Sequence, residues 1–285
     1  MAELISRSYR APPRLVAFST VNGAVPIAPA VPDATITVLG GAYEADVASR
    51  PNGDNDGTVN DQDVDQVRRF AAKLDTDLQY NEFQRADTAP VVDGGDGSLS
   101  VADVMQARRY AAGLDAVKTD SGPLAATGFS GKAKAGKLSP SLIPRGLFPV
   151  FISRTANKVV LGVRMDSNGD ETGVGFTLNY NAADIANPGN IVLGTDSAGS
   201  ILTANTSQPG KIGIMIDRAP GAPWAAGSNE LVRIEFDIIN SSATETPIAF
   251  TSDVVKAETV DGTAAGLTTS FNSGNVILYA PTAAG

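Results

Sequence analysis

The sequence DGTVNDQDVDQVRRFAAKLD (residues 56–75) is repeated as DGSLSVADVMQARRYAAGLD (residues 96–115) at a constant offset of 40 residues. The two stretches share their opening Asp-Gly pair, an Asp-Val pair, two successive arginines and a final Leu-Asp. Upstream, EAD at 44–46 faces RAD at 85–87, so the repeat begins ahead of both stretches. Agreement at a fixed period indicates two copies of one structural unit.

Each copy predicts a polar loop followed by an amphipathic helix. In both copies, apolar residues recur at spacings of three and four, which places them on one helix face. The residues are Val64, Val67, Ala71 and Leu74 in the first copy and Val104, Ala107, Ala111 and Leu114 in the second. We expect the two helices to bury these faces against each other, with no clear helix before either loop.

The loop of the first copy has the spacing of a calcium-binding loop. Such loops take oxygen ligands from positions 1, 3, 5, 7, 9 and 12 and need Gly at position 6 for a sharp turn. Gly57 stands at position 6, and Thr58 would bind through its backbone carbonyl. The predicted ligands are Asn52, Asp54, Asp56, Thr58, Asn60 and Asp63.

The loop of the second copy is compressed and has Val92 at position 1 in strict register. Its predicted ligands are Asp93, Asp96, Ser98 and Asp103. Because Asp46 and Asp87 recur ahead of the two loops, we expect each to supply a first ligand across an insertion. Two calcium ions are predicted. The alternative is a polar turn before each helix, with Asp63 and Asp103 as helix-start residues.

The amino-acid composition excludes several classes of function. The 285 residues include no His and no Cys, which excludes thiol nucleophiles, Ser-His-Asp triads and the usual zinc ligands. Acidic residues outnumber basic ones by 31 to 22, and only 6% of residues are aromatic, so no nucleic-acid partner is expected. No apolar window is long enough to span a membrane, and the first 20 residues lack a signal-peptide pattern. No catalytic site is predicted.

The duplicated loop and helix, with Asp at position 12 and a following Arg-Arg-aromatic, resemble a dockerin domain over residues 44–115. The aromatic is Phe70 in the first copy and Tyr110 in the second. The resemblance implies a calcium-dependent docking module whose two near-symmetrical helices bind cohesin domains, which are β-sandwiches. The displaced first ligand is the departure from the family pattern.

The C-terminal part of the chain predicts an antiparallel β-sandwich of about nine strands, because short alternating or apolar segments are separated by Gly, Asn, Pro and Ser turns. The segments are 149–153, 158–165, 173–180, 190–194, 210–217, 229–238, 247–250, 254–259 and 275–279. A third loop at 165–173 has alternating Asp166, Asn168 and Asp170, for which we favour a polar hairpin turn over a calcium site.

The order of these segments is similar to that of cohesin-like domains, notably GFTLNYNAADI (175–185) and FNSGNVIL (271–278). The chain is therefore mainly β with a small α domain. Its predicted parts are an extended apolar arm (1–43), the dockerin-like domain (44–115), a linker (116–147) and a cohesin-like sandwich of jelly-roll type (148–285).

The arm is rich in β-branched residues and Pro, and an extended segment of this kind can add a strand to a sheet edge. Together with both halves of a docking pair, it predicts a secreted structural protein that binds copies of itself head to tail and forms filaments. The alternative is a docking module, within a larger surface protein, that does not polymerise and binds another cohesin- or dockerin-bearing protein. Both hypotheses place the chain outside the cell or on its surface.

Overall fold

The computed structural model describes residues 43–47, 56–78, 81–126 and 145–278. Apart from Tyr43, the predicted arm lies outside these residues. The same holds for Asn52, Asp54 and residues 127–144 of the predicted linker.

The described part of the duplicated region contains three helices: α1 (Asp61–Ala71), α2 (Glu82–Ala86) and α3 (Val101–Ala111). Helices α1 and α3 each begin with a capping box, in which a polar N-cap residue and the third helical residue exchange hydrogen bonds. The N-caps are Asn60 and Ser100. The short α2 corrects the expectation that no helix precedes the second loop.

The predicted apolar faces of α1 and α3 pack against each other, because Val64, Val67, Val104 and Ala107 are all fully or almost fully buried in one cluster. The expectation is wrong for the last member of each face. Leu74 and Leu114 lie beyond the helix ends and are 39% and 55% exposed. Each helix stops one turn short of its Leu, within the Ala-rich stretch.

The strands of the C-terminal region are β1 (Gly146–Arg154), β2 (Lys158–Ser167), β3 (Glu171–Tyr180), β4 (Ile185–Leu193), β5 (Ile201–Asn205), β6 (Lys211–Asp217), β7 (Gly227–Ile238), β8 (Glu245–Thr251), β9 (Glu258–Asp261), β10 (Gly266–Leu267), β11 (Ser270–Phe271) and β12 (Gly274–Ile277). One sheet has the order β11-β1-β2-β7-β4. The other runs β10-β9-β3-β6-β5, with β8 pairing β3 and β12 pairing β8.

The two sheets form the predicted β-sandwich. Alternate residues of their strands point into a common core that includes Leu161, Phe176, Ile214, Ile234 and Phe236. All strand pairs except β1 with β11 are antiparallel. Trp224 is also buried in this core, where its indole N–H donates to the Ser197 hydroxyl at 3.1 Å.

The described residues form twelve strands rather than the nine predicted. The three that were not predicted, β5 and the two-residue strands β10 and β11, lack a long apolar run. The predicted strand at 254–259 is wrong at its start. Val254 and Val255 precede β9 and pack instead with the helical residues.

The helical pair lies against the second sheet of the same chain. A second apolar cluster joins Val101 and Met105 of α3 to Met215 of β6 and Val260 of β9. The described residues thus belong to one compact unit rather than to two separate bodies.

Candidate functional site

The loop of the first copy is organised around the buried carboxylate of Asp46. The backbone N–H of Asp56 donates to its Oδ1 at 3.2 Å, and that of Gly57 donates to its Oδ2 at 2.9 Å. Gly57 has φ +83°, which a residue with a side chain rarely adopts. Asp46, which the repeat predicts as a ligand across the insertion, therefore contacts the backbone of the described part of the loop.

Asp63 closes the same loop. Its Oδ1 accepts the N–H of Val47 at 3.1 Å, and its Oδ2 accepts the N–H of Asn60 at 2.8 Å. Asp63 is thus the third residue of α1 and completes its capping box. The helix-start role that was the alternative to calcium binding is present, and it places this carboxylate opposite Asp46 at the loop.

The second loop repeats this arrangement. The N–H groups of Asp96 and Gly97 donate to Asp87 at 3.0 and 2.6 Å, and Gly97 has φ +82°. At the other end, Asp103 Oδ1 accepts the N–H groups of Thr88 and Ala89 at 2.8 and 2.9 Å. Its Oδ2 accepts the N–H of Ser100 at 2.8 Å. Both Asp87 and Asp103 are fully buried.

The other predicted ligands are less buried. Thr58 is exposed and donates its N–H to Asp56 Oδ1 at 2.8 Å, and the Asn60 side chain caps α1. Asp93 is exposed and Ser98 is half-buried. Within the described ranges, no group of three or more carboxylates stands close enough to hold a metal ion in the present side-chain positions.

The electrostatics of the buried carboxylates fit a divalent cation. Burial raises the pKa of Asp63 to about 6, and the carboxylates of Asp46 and Asp56 add to the rise. Burial likewise raises the pKa of Asp87 to about 6, and that of Asp103 well above its usual value. Negative charge at each loop is therefore incompletely matched by the backbone donors. A cation bound among these oxygens would match it.

The repeated arginines of the helices form a buried anchor to the sandwich. Arg68 of α1 donates to both oxygens of Asp217, its Nε lying 2.9 Å from Oδ1 and one terminal nitrogen 3.2 Å from Oδ2. Arg108 of α3, the equivalent residue of the second copy, reaches Oδ2 of the same Asp217 at 2.5 Å. One carboxylate at the end of β6 thus binds both copies.

Apolar residues of α3 complete this docking contact. Val101 and Met105 rest on Gly173 of β3, where a Cβ atom would lie 2.8 Å from Val101 Cγ2 and equally close to Val260 Cγ2. The Thr172 hydroxyl lies 3.8 Å from the Met105 sulfur. A glycine in the strand permits this close approach of helix to sheet.

The sequence analysis missed Asp217 and the docking contact. Two signals could have indicated them. Arg68 is repeated as Arg108, but Asp65, three residues before Arg68, is replaced by Met105. The second copy also has Val101 in place of Asp61. Asp61 and Asp65 are exposed, whereas Val101 and Met105, at the equivalent positions, are buried.

The turn at 167–170 joins β2 of one sheet to β3 of the other, so the favoured hairpin is wrong: the turn is polar, but the two strands do not pair with each other. The Glu171 carboxylate lies within it, where Oε1 accepts the N–H of Asn168 at 3.0 Å. Arg145 forms ion pairs with both Asp170 and Glu171. The carboxylates of this turn are therefore matched by a cation of the protein itself.

One edge of the sandwich presents apolar residues. Strand β1 pairs with β11 only at Gly146 and Leu147. Beyond Leu147, no strand among the described residues pairs with its outer side, although the start of β12 lies near Pro149. Phe148 and Phe151 are 36% and 42% exposed there, and Phe151 points to the same side as its buried neighbour Leu161.

No protein-family model matches the chain, and no curated protein matches it. Solved cohesin structures are similar to about half of it. They include the sixth cohesin of scaffoldin B from Acetivibrio cellulolyticus, solved with a dockerin (16% identity over 48% of this chain and 100% of that one, TM-score 0.41). A non-cellulosomal cohesin from Archaeoglobus fulgidus has 10% identity over 47% of this chain and 92% of its own, with TM-score 0.38. The cohesin module of a family 33 glycoside hydrolase from Clostridium perfringens has 13% identity over 47% and 96%, with TM-score 0.39.

None of the helices in the described part of the chain is long and apolar enough to cross a membrane.

Proposed function

We propose that this chain is an extracellular calcium-binding structural protein that assembles head to tail with copies of itself. The calcium part rests on one observation: each copy of the repeat folds two buried aspartates, Asp46 with Asp63 and Asp87 with Asp103, around a loop with a positive-φ glycine. Calcium bound there would supply the positive charge that the loops lack. Its binding energy would add to the stability of the folded loops.

The assembly part is supported by how the helices are used. The dockerin-like helices already rest on the sandwich of their own chain, with Arg68 and Arg108 both bound to Asp217. This favours strand donation over exchange of the helical pair as the route between copies. The acceptor we propose is the outer edge of β1, from Phe148 to Ser153.

The chemistry of this edge fits an extended apolar segment. Exposed Phe148 and Phe151 would be covered by a strand laid beside β1, and the arm at 11–43 contains apolar, β-branched stretches such as LVAFSTV (15–21). Pro149 and the bulge between Phe151 and Ser153 interrupt the edge, which disfavours unspecific sheet extension. The donated segment would come from a second copy.

The alternative proposal is a calcium-dependent docking module of a larger surface protein that binds a different protein through the same edge. In both cases the role is binding and structural rather than catalytic. The two differ only in whether purified chain associates with itself.

Sedimentation velocity of the purified chain in millimolar calcium, and again after excess chelator, separates the two. Large species that shrink to monomer when Phe151→Ser is introduced would support self-assembly. The matched control is Val192→Ser on β4, the opposite edge of the same sheet, which is 43% exposed and should leave assembly unchanged. A monomer under every condition would reject self-assembly and favour the docking module.

A further inference from the structure

The sandwich places a charged pair against the second loop. Lys256, two residues before β9 begins, has its Nζ 3.0 Å from Glu258 Oε2 and 3.5 Å from Asp96 Oδ2. Glu258 Oε1 also accepts the N–H of Ala102, in the first turn of α3, at 3.4 Å. A cation and an anion of the sandwich thus contact residues of the loop and of the helix that follows it.

Lys256 contributes an ammonium group, which is positively charged near neutral pH in an ordinary lysine. Its side chain is 21% exposed and lies between the carboxylates of Glu258 and Asp96. The ammonium group therefore supplies positive charge beside Asp96, which is a predicted calcium ligand.

The first loop has a different arrangement. Its nearby cation is Arg85, which belongs to α2 and donates to the backbone carbonyl of Asp46 and to Asn81 Oδ1. In the described ranges, no Lys or Arg of the sandwich forms an ion pair with Asp56, the equivalent of Asp96. Among the described candidate ligands, an ion pair with a cation of the sandwich is thus present at the second loop, through Asp96, and absent at the first.

We propose that Lys256 is a competing cation at the second loop, which holds Asp96 in the absence of metal and weakens the binding of calcium there. The inference rests on the calcium part of the proposed function. A divalent ion on Asp96 would stand within a few ångströms of the ammonium group, and repulsion at that distance lowers affinity roughly tenfold in a water-like medium. Glu258 offsets part of this repulsion.

The contact links metal binding to docking. Lys256 and Asp96 join the sandwich to the helical pair, so calcium that displaces Lys256 removes one contact between them. By thermodynamic reciprocity, docking then lowers the calcium affinity of the second loop by the same factor. The first loop lacks this link.

Calorimetric titration of calcium into the metal-stripped full chain tests the inference. Lys256→Met should tighten binding at the second loop by about tenfold and leave the first loop unchanged, since the effect of a surface charge falls off within about a Debye length. Glu258→Gln should weaken the second loop. Repeating the titration in an Asp56→Asn background, which impairs the first loop, assigns each binding event to its loop.

Lys211→Met is the matched control. It removes the same charge from the sandwich, but Lys211 pairs with Asp253 at 2.9 Å instead of with a loop residue. Circular dichroism confirms that each variant is folded. Two calcium-binding events of which neither responds to Lys256→Met more than to Lys211→Met would overturn the inference alone. Absence of calcium binding in the unaltered chain would overturn the calcium proposal and the inference with it.

Discussion

The two copies of the repeat have the same internal contacts and different outer ones. In each, a Gln and an Arg of the helix bind one Asp beyond its end, at 2.9 and 2.7 Å in both copies. The residues are Gln66, Arg69 and Asp75 in the first copy and Gln106, Arg109 and Asp115 in the second. The internal frame of the unit is therefore retained after duplication.

The two copies differ in their contacts with the sandwich. The second copy lays Val101 and Met105 on β3, whereas the first meets the sandwich mainly through polar groups at the end of α1. There, Asn205 donates to the carbonyl of Ala72 at 2.9 Å, and the Lys73 ammonium donates to that of Asp253 at 2.8 Å. The second copy therefore presents an apolar docking side where the equivalent positions of the first copy, Asp61 and Asp65, are exposed and charged.

The largest expected effect comes from the anchor that both copies share. Asp217→Asn should lower the free energy of unfolding by about 3 kcal/mol, because it removes the buried carboxylate that binds both Arg68 and Arg108 and leaves the buried Arg68 paired with the exposed Asp65. Urea unfolding of the variant and the unaltered chain, both in calcium, measures the change. A loss below about 1 kcal/mol, the range of a solvated surface pair, would show that the anchor is unimportant.

The next test exchanges residues between the copies. Val101→Asp should cost about 3 kcal/mol, because the carboxylate would be buried against β3, where Val101 is now 1% exposed. The converse change at the equivalent position, Asp61→Val, should stay within about 0.5 kcal/mol, since Asp61 is exposed. Equal effects in urea unfolding would remove the distinction between the copies.

The strand side of the contact gives a smaller effect. Gly173→Ala should destabilise by about 2 kcal/mol, because the added Cβ would press on Val101 and Val260. Gly266→Ala is the control, since a Cβ there meets no atom within 4 Å. Thermal unfolding measures the midpoint temperature of both variants, and equal shifts in the two would contradict this packing.

The smallest predicted difference concerns the second arginine of each copy. Arg109 also donates to the Gly262 carbonyl of the sandwich at 2.6 Å, whereas Arg69, among the described residues, binds Asp75 of its own copy. We expect Arg109→Met to cost about 1 kcal/mol, as for one hydrogen bond, and Arg69→Met less than about half of that. Urea unfolding in parallel compares them, and a larger loss for Arg69→Met would reverse the assignment.

Much of this organisation could be predicted from sequence because it is local or periodic. Alternating apolar residues predicted nine of the twelve described strands. The repeat predicted that Asp46 and Asp87 belong to their loops, across insertions of different length. The position of β5 (ILTAN) was missed because five mixed residues do not show a period of two above chance.

The docking contact could not be predicted in the same way. Arg68 and Asp217 are 149 residues apart, and nothing in either segment alone specifies their pairing. Lys256 and Glu258 likewise meet the second loop only because the helical pair rests on β3 and β9. Contacts between distant segments follow from the packing of whole elements, which local patterns do not encode.

The most direct test of the account asks whether the helical pair rests on the sandwich of its own chain. The chain has no Cys, so Met105→Cys with Thr172→Cys places a single thiol pair where the two side chains now lie 3.8 Å apart. Oxidation in dilute solution, followed by intact mass and gel mobility, should give an internally crosslinked monomer. Asp65→Cys with Thr172→Cys, at the equivalent position of the first copy, should not crosslink. Absence of crosslinking in the first pair, or covalent dimers in its place, would contradict the account.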